Sequence, residues 1–355
     1  MPNALQITRR LDKIFVEPER PGAQYVVTNA QGTLFEYSGG WGDISRHEPV
    51  RLTTIMMLHS LTKVFTAIAV LQLAEQNKLG LDDPADRYLD GLPYGPEVTI
   101  CRLLAQTSGL PHPLPLKWIH LPDEADTYDD DAALRAVVAA HPVLTFPPGE
   151  RFGYSNISYW ILGRIVEIVS GKSYGDYIRS EIGERLEPPV QDIYARLPNG
   201  AELAFGYIAA GTPFELQKEA LFDPRIFGDY FRYYLRIEPY YCNGFGCCGL
   251  FGTARAIAVL LKDLLGAKSR LLNSLSKSLL LQRQQTADGL AIPMTLGWHI
   301  GEIDGMPYFF KEGNGAGFHS EMRIYPERGI GSVIIANEMG YDVRSLLNRF
   351  DPLFS

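Results

Sequence analysis

Apolar residues recur along this chain with two different periods, and the switches between them outline its organisation. Residues 4–17 carry a helical spacing and predict a short amphipathic helix. Alternation over 24–28 and 33–37, with Asn29-Ala-Gln-Gly32 between them, predicts a hairpin with glycine at its turn. From 58 to 74 the period becomes helical, with Val64, Ile68, Leu71 and Ala74 on one face, until Gly80-Leu-Asp-Asp-Pro84 ends it. Residues 98–111 predict a short helix closed by Gly109 and Pro111. After them come a Pro- and Asp-rich loop over 111–131, a helix over 131–140, and a break at Pro147-Pro148-Gly149. Helical spacing resumes through Tyr159, Ile161, Leu162, Ile165, Val166, Ile168 and Val169, and again from Thr253 to Gly266. Strand-like runs return at 296–300, 308–313, 318–325 and 330–336. They predict an antiparallel meander, followed by a helix over 341–349.

Strands at both ends and helices between them predict an α/β (α+β) fold. One antiparallel sheet is built from the two chain ends and flanked by helices, with a mainly helical region inserted. The expected division is 1–82 with 288–355 as the sheet domain and 83–287 as the helical one, with a cleft at their junction. No internal repeat or low-complexity tract is visible.

The 355 residues suffice for a large core, and 46% hydrophobic with 21% charged residues is the balance of a globular protein. A net charge of −8 without any Lys/Arg run argues against nucleic acid or an anionic membrane as partner. The N-terminal residues lack an apolar signal region and a cleavage site, and no segment approaches ~18 continuous apolar residues. The expected location is therefore the cytoplasm; oligomeric state is not legible. Cys101, Cys242, Cys247 and Cys248 form no metal-binding spacing, and the seven histidines form no His-x-x-x-His pair, so no metal or other cofactor is expected. The four cysteines read as buried structural thiols.

The chemistry begins at Ser60-Leu-Thr-Lys63, where the long apolar helix opens. Residues three apart share a helical face, so Ser60 and Lys63 stand one turn apart at its N-terminal end. Helix dipole and burial both favour an uncharged Lys63, which would then take the Ser60 proton. Ser274 and Lys277 repeat the spacing, but in a polar amphipathic patch. Gly171-Lys-Ser173-Tyr-Gly175 matches the Gly-x-Ser-x-Gly nucleophile elbow, yet a helix rather than a strand leads into it, and Ser170-Gly171 reads as a C-cap.

Two further stretches join the first: Tyr154-Ser-Asn156 and Lys311-Glu-Gly313. Singly, Tyr154 reads as a loop aromatic, Asn156 as a helix N-cap and Lys311 as a strand-end charge. In this order, the three motifs resemble the serine β-lactamase and penicillin-binding superfamily, in particular its class C-like branch with its carboxylesterases (family VIII type) and D-aminopeptidases. Residues 98–110, Phe146-Pro-Pro-Gly-Glu-Arg-Phe-Gly-Tyr-Ser-Asn156, Gly249-Leu-Phe-Gly-Thr-Ala254 and Gly317-Phe-His-Ser320 extend the likeness over nearly the whole chain. The resemblance implies a β-lactamase/transpeptidase-like fold, with Ser60 as nucleophile of an acyl-enzyme. It makes Lys63 and Tyr154 the shared general base, with Lys311 flanking Tyr154. Asn156 would hold the substrate or orient Lys63, and the backbone N–H groups of Ser60 and Asn314 would form the oxyanion hole.

The third motif departs from the family's Lys-Thr-Gly. Glu312 stands where a threonine helps to bind a substrate carboxylate, and it would repel one unless a cation neutralises it. The expected substrate is therefore a small neutral ester and the expected activity a carboxylesterase. A β-lactamase, D-amino-acid peptidase or amidase on the same residues is the alternative, and a catalytically silent binding protein the second. The aromatic-rich segment 222–248 reads as core, or as the lining of a cleft for an apolar acyl or alcohol group.

Overall fold

The computed structural model describes residues 4–16, 20–113, 117–198, 200–303 and 305–354. Residue 17 of the first expected helix and residues 114–116 of the Pro- and Asp-rich loop lie outside the described residues. A six-stranded antiparallel sheet is assembled from both chain ends, as expected. Its order is His299–Ile303, Met306–Gly315, Phe318–Tyr325, Ile330–Ala336, Ala23–Asn29 and Thr33–Gly39. The N-terminal hairpin thus joins the C-terminal meander through one seam, where Val26 lies opposite Val333 and Tyr25 opposite Ile334.

Alternation along these strands feeds two cores. Tyr25, Val27, Ile330 and Ile334 pack with Ile7, Leu11 and Phe15 of helix Ala4–Phe15 and with Leu347 and Phe350 of helix Val343–Phe350. Val26, Val333 and Ile335 face the other way, into a larger cluster that also holds Leu61, Ile161 and Leu250. Helix Ala254–Leu265 covers that face of the sheet.

The helix Thr62–Glu75 runs through the larger core with every residue from Thr62 to Leu73 buried. A helix apolar on all sides is an interior helix, so the single stripe expected from the sequence understates its burial. Helix Asn156–Ser170, the short helix Phe245–Cys248 and helix Ser274–Leu281 pack around it. At one crossing the backbones nearly touch: a Cβ on Gly246 would lie 2.6 Å from the Tyr159 carbonyl oxygen and 2.7 Å from Gly163 Cα. Only glycine admits that approach.

The mainly helical region 83–287 also carries short strands: Gly206–Ala209, Tyr234–Ile237 and Phe227–Phe231 form a small sheet, while Phe251–Gly252 and Ile193–Tyr194 join Met56–Met57 in another. Two-residue strands carry no alternation for sequence reading to detect. The helix expected over 98–111 is confined to Ile100–Leu104. Beyond it Gln106 and Gly109 adopt φ of +60° and +78°, which ends helical backbone.

Candidate active site

Ser60 lies in the one-turn 3₁₀ helix His59–Leu61, which leads directly into Thr62–Glu75. Lys63, fully buried, donates to Ser60 Oγ at 2.9 Å, Asn156 Oδ1 at 2.7 Å and the Cys247 carbonyl at 2.8 Å. These three contacts satisfy the full donor capacity of an ammonium at this position. Burial, the largest single cause, pulls the Lys63 pKa down, but Tyr154 together with Cys247 and Cys248 raises it, and the net direction is upward. The lowered pKa expected for Lys63 is therefore corrected in direction: desolvation is present but overcome.

Tyr154 arrives from the loop before helix Asn156–Ser170, and its hydroxyl lies 2.7 Å from Ser60 Oγ. Gln106, at its left-handed position, pins this loop. Its side chain accepts from the Ser155 N–H at 2.6 Å and donates to the Ser155 carbonyl at 3.0 Å. Ser155, not Asn156, is the helix N-cap, its hydroxyl accepting from the Ser158 N–H. Asn156 is thereby released to turn its amide oxygen to Lys63.

Strand Met306–Gly315 supplies the third motif along a stretch that the pairing with His299–Ile303 leaves open. Lys311 is fully buried, with Nζ 5.3 Å from the centre of the Tyr154 ring and no hydrogen-bond acceptor among the described residues. Burial first, then repulsion by Lys63, drive its pKa well below the usual lysine range. The two amines around Tyr154 are thus pushed in opposite directions, Lys63 upward and Lys311 downward. Gly313 has no room for a side chain, since a Cβ there would sit 2.4 Å from the Leu58 carbonyl oxygen. Asn314 is exposed at the open edge.

Glu312 points to the opposite face of the sheet from Lys311. Its carboxylate accepts from His319 Nε2 at 2.8 Å and from Arg344 Nη2 at 2.9 Å. The hydrogen bond from His319, reinforced by the charge of Arg344, holds its pKa below the usual glutamate range. The neutralising cation that sequence reasoning left open is thus Arg344, with His319 beside it, and simple repulsion of a substrate carboxylate by Glu312 does not follow.

A cavity of ≈ 240 Å³ opens beside Ser60. Ser60, Asn156 and Asn314 reach its wall, and Trp118, Phe214, Phe222 and Tyr240 give it an apolar lining. Part of the aromatic-rich segment therefore lines a cleft, while Tyr230 and Tyr233 lie exposed on its hairpin. His59 also lines the cavity, 3% exposed and at φ of +47°, its pKa lowered to about 3 by burial and then by Lys63. Gly315 makes space for that ring: a Cβ there would fall 2.3 Å from it. In sequence, His59 directly precedes the first motif, and His319 lies within Gly317-Phe-His-Ser320. Sequence reasoning missed the Cys247 carbonyl, a backbone group with no side-chain signature, and Arg344, which lies 32 residues from Glu312.

The competing serines lie elsewhere. Gly171 is the left-handed C-cap of helix Asn156–Ser170, and Ser173 caps the next turn by accepting from the Asp176 N–H, so no strand leads into it. Ser274 is exposed, and Lys277 donates to the Gly266 carbonyl. All four cysteines are free thiols, and no group of three or more His, Cys, Asp or Glu side chains among the described residues is arranged to hold a metal. No helix among the described residues is long and apolar enough to cross a membrane.

A family model described as Beta-lactamase matches residues 7–351. Among curated proteins, Penicillin-binding protein 4* of Bacillus subtilis (strain 168) is 33% identical over 152 residues, covering 42% of this chain and 33% of that protein. Protein flp of Staphylococcus aureus (strain N315) is 31% identical over 182 residues, covering 49% and 35%. The matched segment therefore spans about a third of these curated relatives' length. Among solved structures, the D-amino acid amidase from Ochrobactrum anthropi SV3 complexed with L-phenylalanine superposes with a TM-score of 0.82 at 21% identity, over 99% of this chain and 98% of that one. The octameric penicillin-binding protein homologue from Pyrococcus abyssi gives 0.75 at 23% identity, over 99% and 76%. At such identities the structural likeness concerns the fold, while the family match runs through Ser60, Lys63, Tyr154 and Lys311: the chain belongs to the Beta-lactamase family.

Proposed function

We propose that this protein is a serine hydrolase acting through an acyl-enzyme, and a carboxylesterase for small neutral acyl esters. The observation that carries the substrate class is the cavity wall. Among the described residues lining it there is no lysine or arginine, and the one carboxylate, Asp223, is engaged by Arg225 at 2.9 Å. An apolar acyl or alcohol group gains from burial there, whereas a carboxylate would lose its water without a partner.

In this mechanism Ser60 Oγ attacks the acyl carbon while its proton moves to the Tyr154 oxygen, 2.7 Å away. Lys63 stays charged throughout, holding Ser60 in place and stabilising negative charge that develops beside it. Tyr154 takes that proton in its phenolate form, whose charge the Lys63 ammonium beside it offsets. The carbonyl oxygen becomes an oxyanion facing the backbone N–H groups of Ser60 and Asn314. When it collapses, the ester C–O bond breaks and the departing alkoxide takes the proton back from Tyr154. Water then repeats the sequence on the acyl-enzyme, releasing the acid and restoring Ser60.

A second reading rests on Asp223, whose carboxylate on the wall would suit the ammonium of an amino-acid amide. A panel of p-nitrophenyl esters, D-amino-acid amides and nitrocefin separates the two. Short-chain esters are expected to give the highest kcat/KM, and faster turnover of amides or nitrocefin would overturn the carboxylesterase reading. If amides win, Asp223→Asn should depress amide turnover and spare esters. A protein left unmodified at Ser60 by a fluorophosphonate, read by intact mass, would instead be a silent member of the fold.

A further inference from the structure

Glu312 fills a receptor whose donors are fixed by other contacts. His319 presents Nε2 to Glu312 Oε1, and its Nδ1 is held at 2.5 Å from the Tyr341 carbonyl oxygen. Arg344 presents Nη2 to Glu312 Oε2, while its Nε donates to Glu321 at 3.2 Å and its guanidinium lies over the Phe310 ring at 4.8 Å. Glu321 is itself fully buried and paired with the fully buried Arg323. Neither donor therefore depends on Glu312 for its position. Two donors spaced to meet the two oxygens of one carboxylate form a carboxylate receptor, and a guanidinium is well shaped for that task.

Asn314 links the receptor to the substrate site at the open edge of the strand. Glu312 and Asn314 point to the same face of strand Met306–Gly315, two residues apart, so about 7 Å separates them along the strand. Asn314 lines the cavity and pairs across the sheet with His319.

Resting on the serine-hydrolase reading above, we propose that Glu312 is a specificity-determining residue. It occupies the Arg344–His319 receptor as an internal carboxylate, and so denies it to substrates that carry one. This is occupancy rather than repulsion, and the two differ in consequence. Removing a repelling charge from a site without a receptor would leave anionic substrates merely unopposed. Emptying a built receptor makes them bound.

The test uses two matched substrates: the p-nitrophenyl ester of a straight-chain monocarboxylic acid, and the p-nitrophenyl half-ester of a dicarboxylic acid of equal chain length. In Glu312→Gln, which keeps the side-chain shape, and in Glu312→Thr, the anionic-to-neutral ratio of kcat/KM is expected to rise at least tenfold over the parent. The gain should lie mainly in KM and fade with added salt. Adding Arg344→Met to either variant should return the ratio to the parental value. An unchanged ratio in both single variants, or a gain that survives Arg344→Met, overturns the proposal. A second arm measures fluorophosphonate labelling of Ser60 with and without glutarate; protection is expected in the Glu312 variants and not in the parent. If the parent hydrolyses no ester, the carboxylesterase reading fails. The labelling arm still decides the role of Glu312, and equal labelling with and without glutarate in every variant would then overturn it.

Discussion

Lys63 and Tyr154 hold Ser60 from two sides, and each contact is open to a substitution. Ser60→Ala should abolish both fluorophosphonate labelling and ester turnover, whereas Ser173→Ala should alter neither, since Ser173 only caps a turn. Asn156→Ala removes one of three acceptors on a buried ammonium, a hydrogen bond to charge worth roughly 1.5–3 kcal/mol. It should lower kcat about ten- to hundredfold with little change in KM, measured on a short-chain ester. His59 makes a prediction in pH. Its folded pKa of about 3 lies below the usual 6.5, so the unfolded chain binds the extra proton. Stability should be intact above pH 6.5 and fall by about 1.4 kcal/mol per unit as the pH drops below it, until the folded imidazole also protonates. His59→Asn, which tolerates the left-handed backbone, should make that slope shallower in chemical denaturation between pH 6.5 and 5, with His299, its pKa likewise lowered by burial, supplying part of the remainder. At this scale the sequence singled out side chains that the fold gathers but misjudged the direction of one pKa. Spacing marked Ser60 and Lys63 and the resemblance added Tyr154 and Lys311, while the acceptors around Lys63 come from Asn156 and Cys247, far along the chain.

Between residues and the whole, the elements decide how well those acceptors are aimed. The Cys247 carbonyl reaches Lys63 because the short helix Phe245–Cys248 lies almost in contact with helix Asn156–Ser170 at Gly246 and Gly163. Gly246→Ala would wedge a methyl group against backbone that cannot yield. Overpacking of that kind costs about 1–3 kcal/mol, to be read as a lowered denaturation midpoint, and kcat should fall severalfold as the carbonyl retreats. Long elements were readable in advance because many residues vote for one period: helix Ala254–Leu265 and the strands 318–325 and 330–336 lie where the pattern put them. The pair Phe251–Gly252 and Met56–Met57, which steadies the approach to Ser60, was not. Its partners are distant in sequence, and each is too short to show a face.

Taken whole, the molecule shares one apolar cluster between the regions expected as separate domains, with Val26 and Met322 from the sheet beside Ile161 and Leu250 from the insert. Thermal unfolding followed by tryptophan fluorescence and by far-ultraviolet circular dichroism should therefore give one coincident transition, and two resolved steps would show that the regions melt apart. The overall architecture was legible because strand signals gathered at the two ends, although nothing local announced which strand would meet which. That seam carries a consequence for biosynthesis. Gly22 and Asn337, hydrogen-bonded at 2.6 Å, are 315 residues apart. A nascent chain must wait until those 315 residues have been made before the first hairpin finds its partner. Throughout that wait the outer rim of strand Ala23–Asn29 offers bare backbone to any passing strand. Slower synthesis at low temperature, or a holding chaperone, should accordingly raise the yield of folded protein.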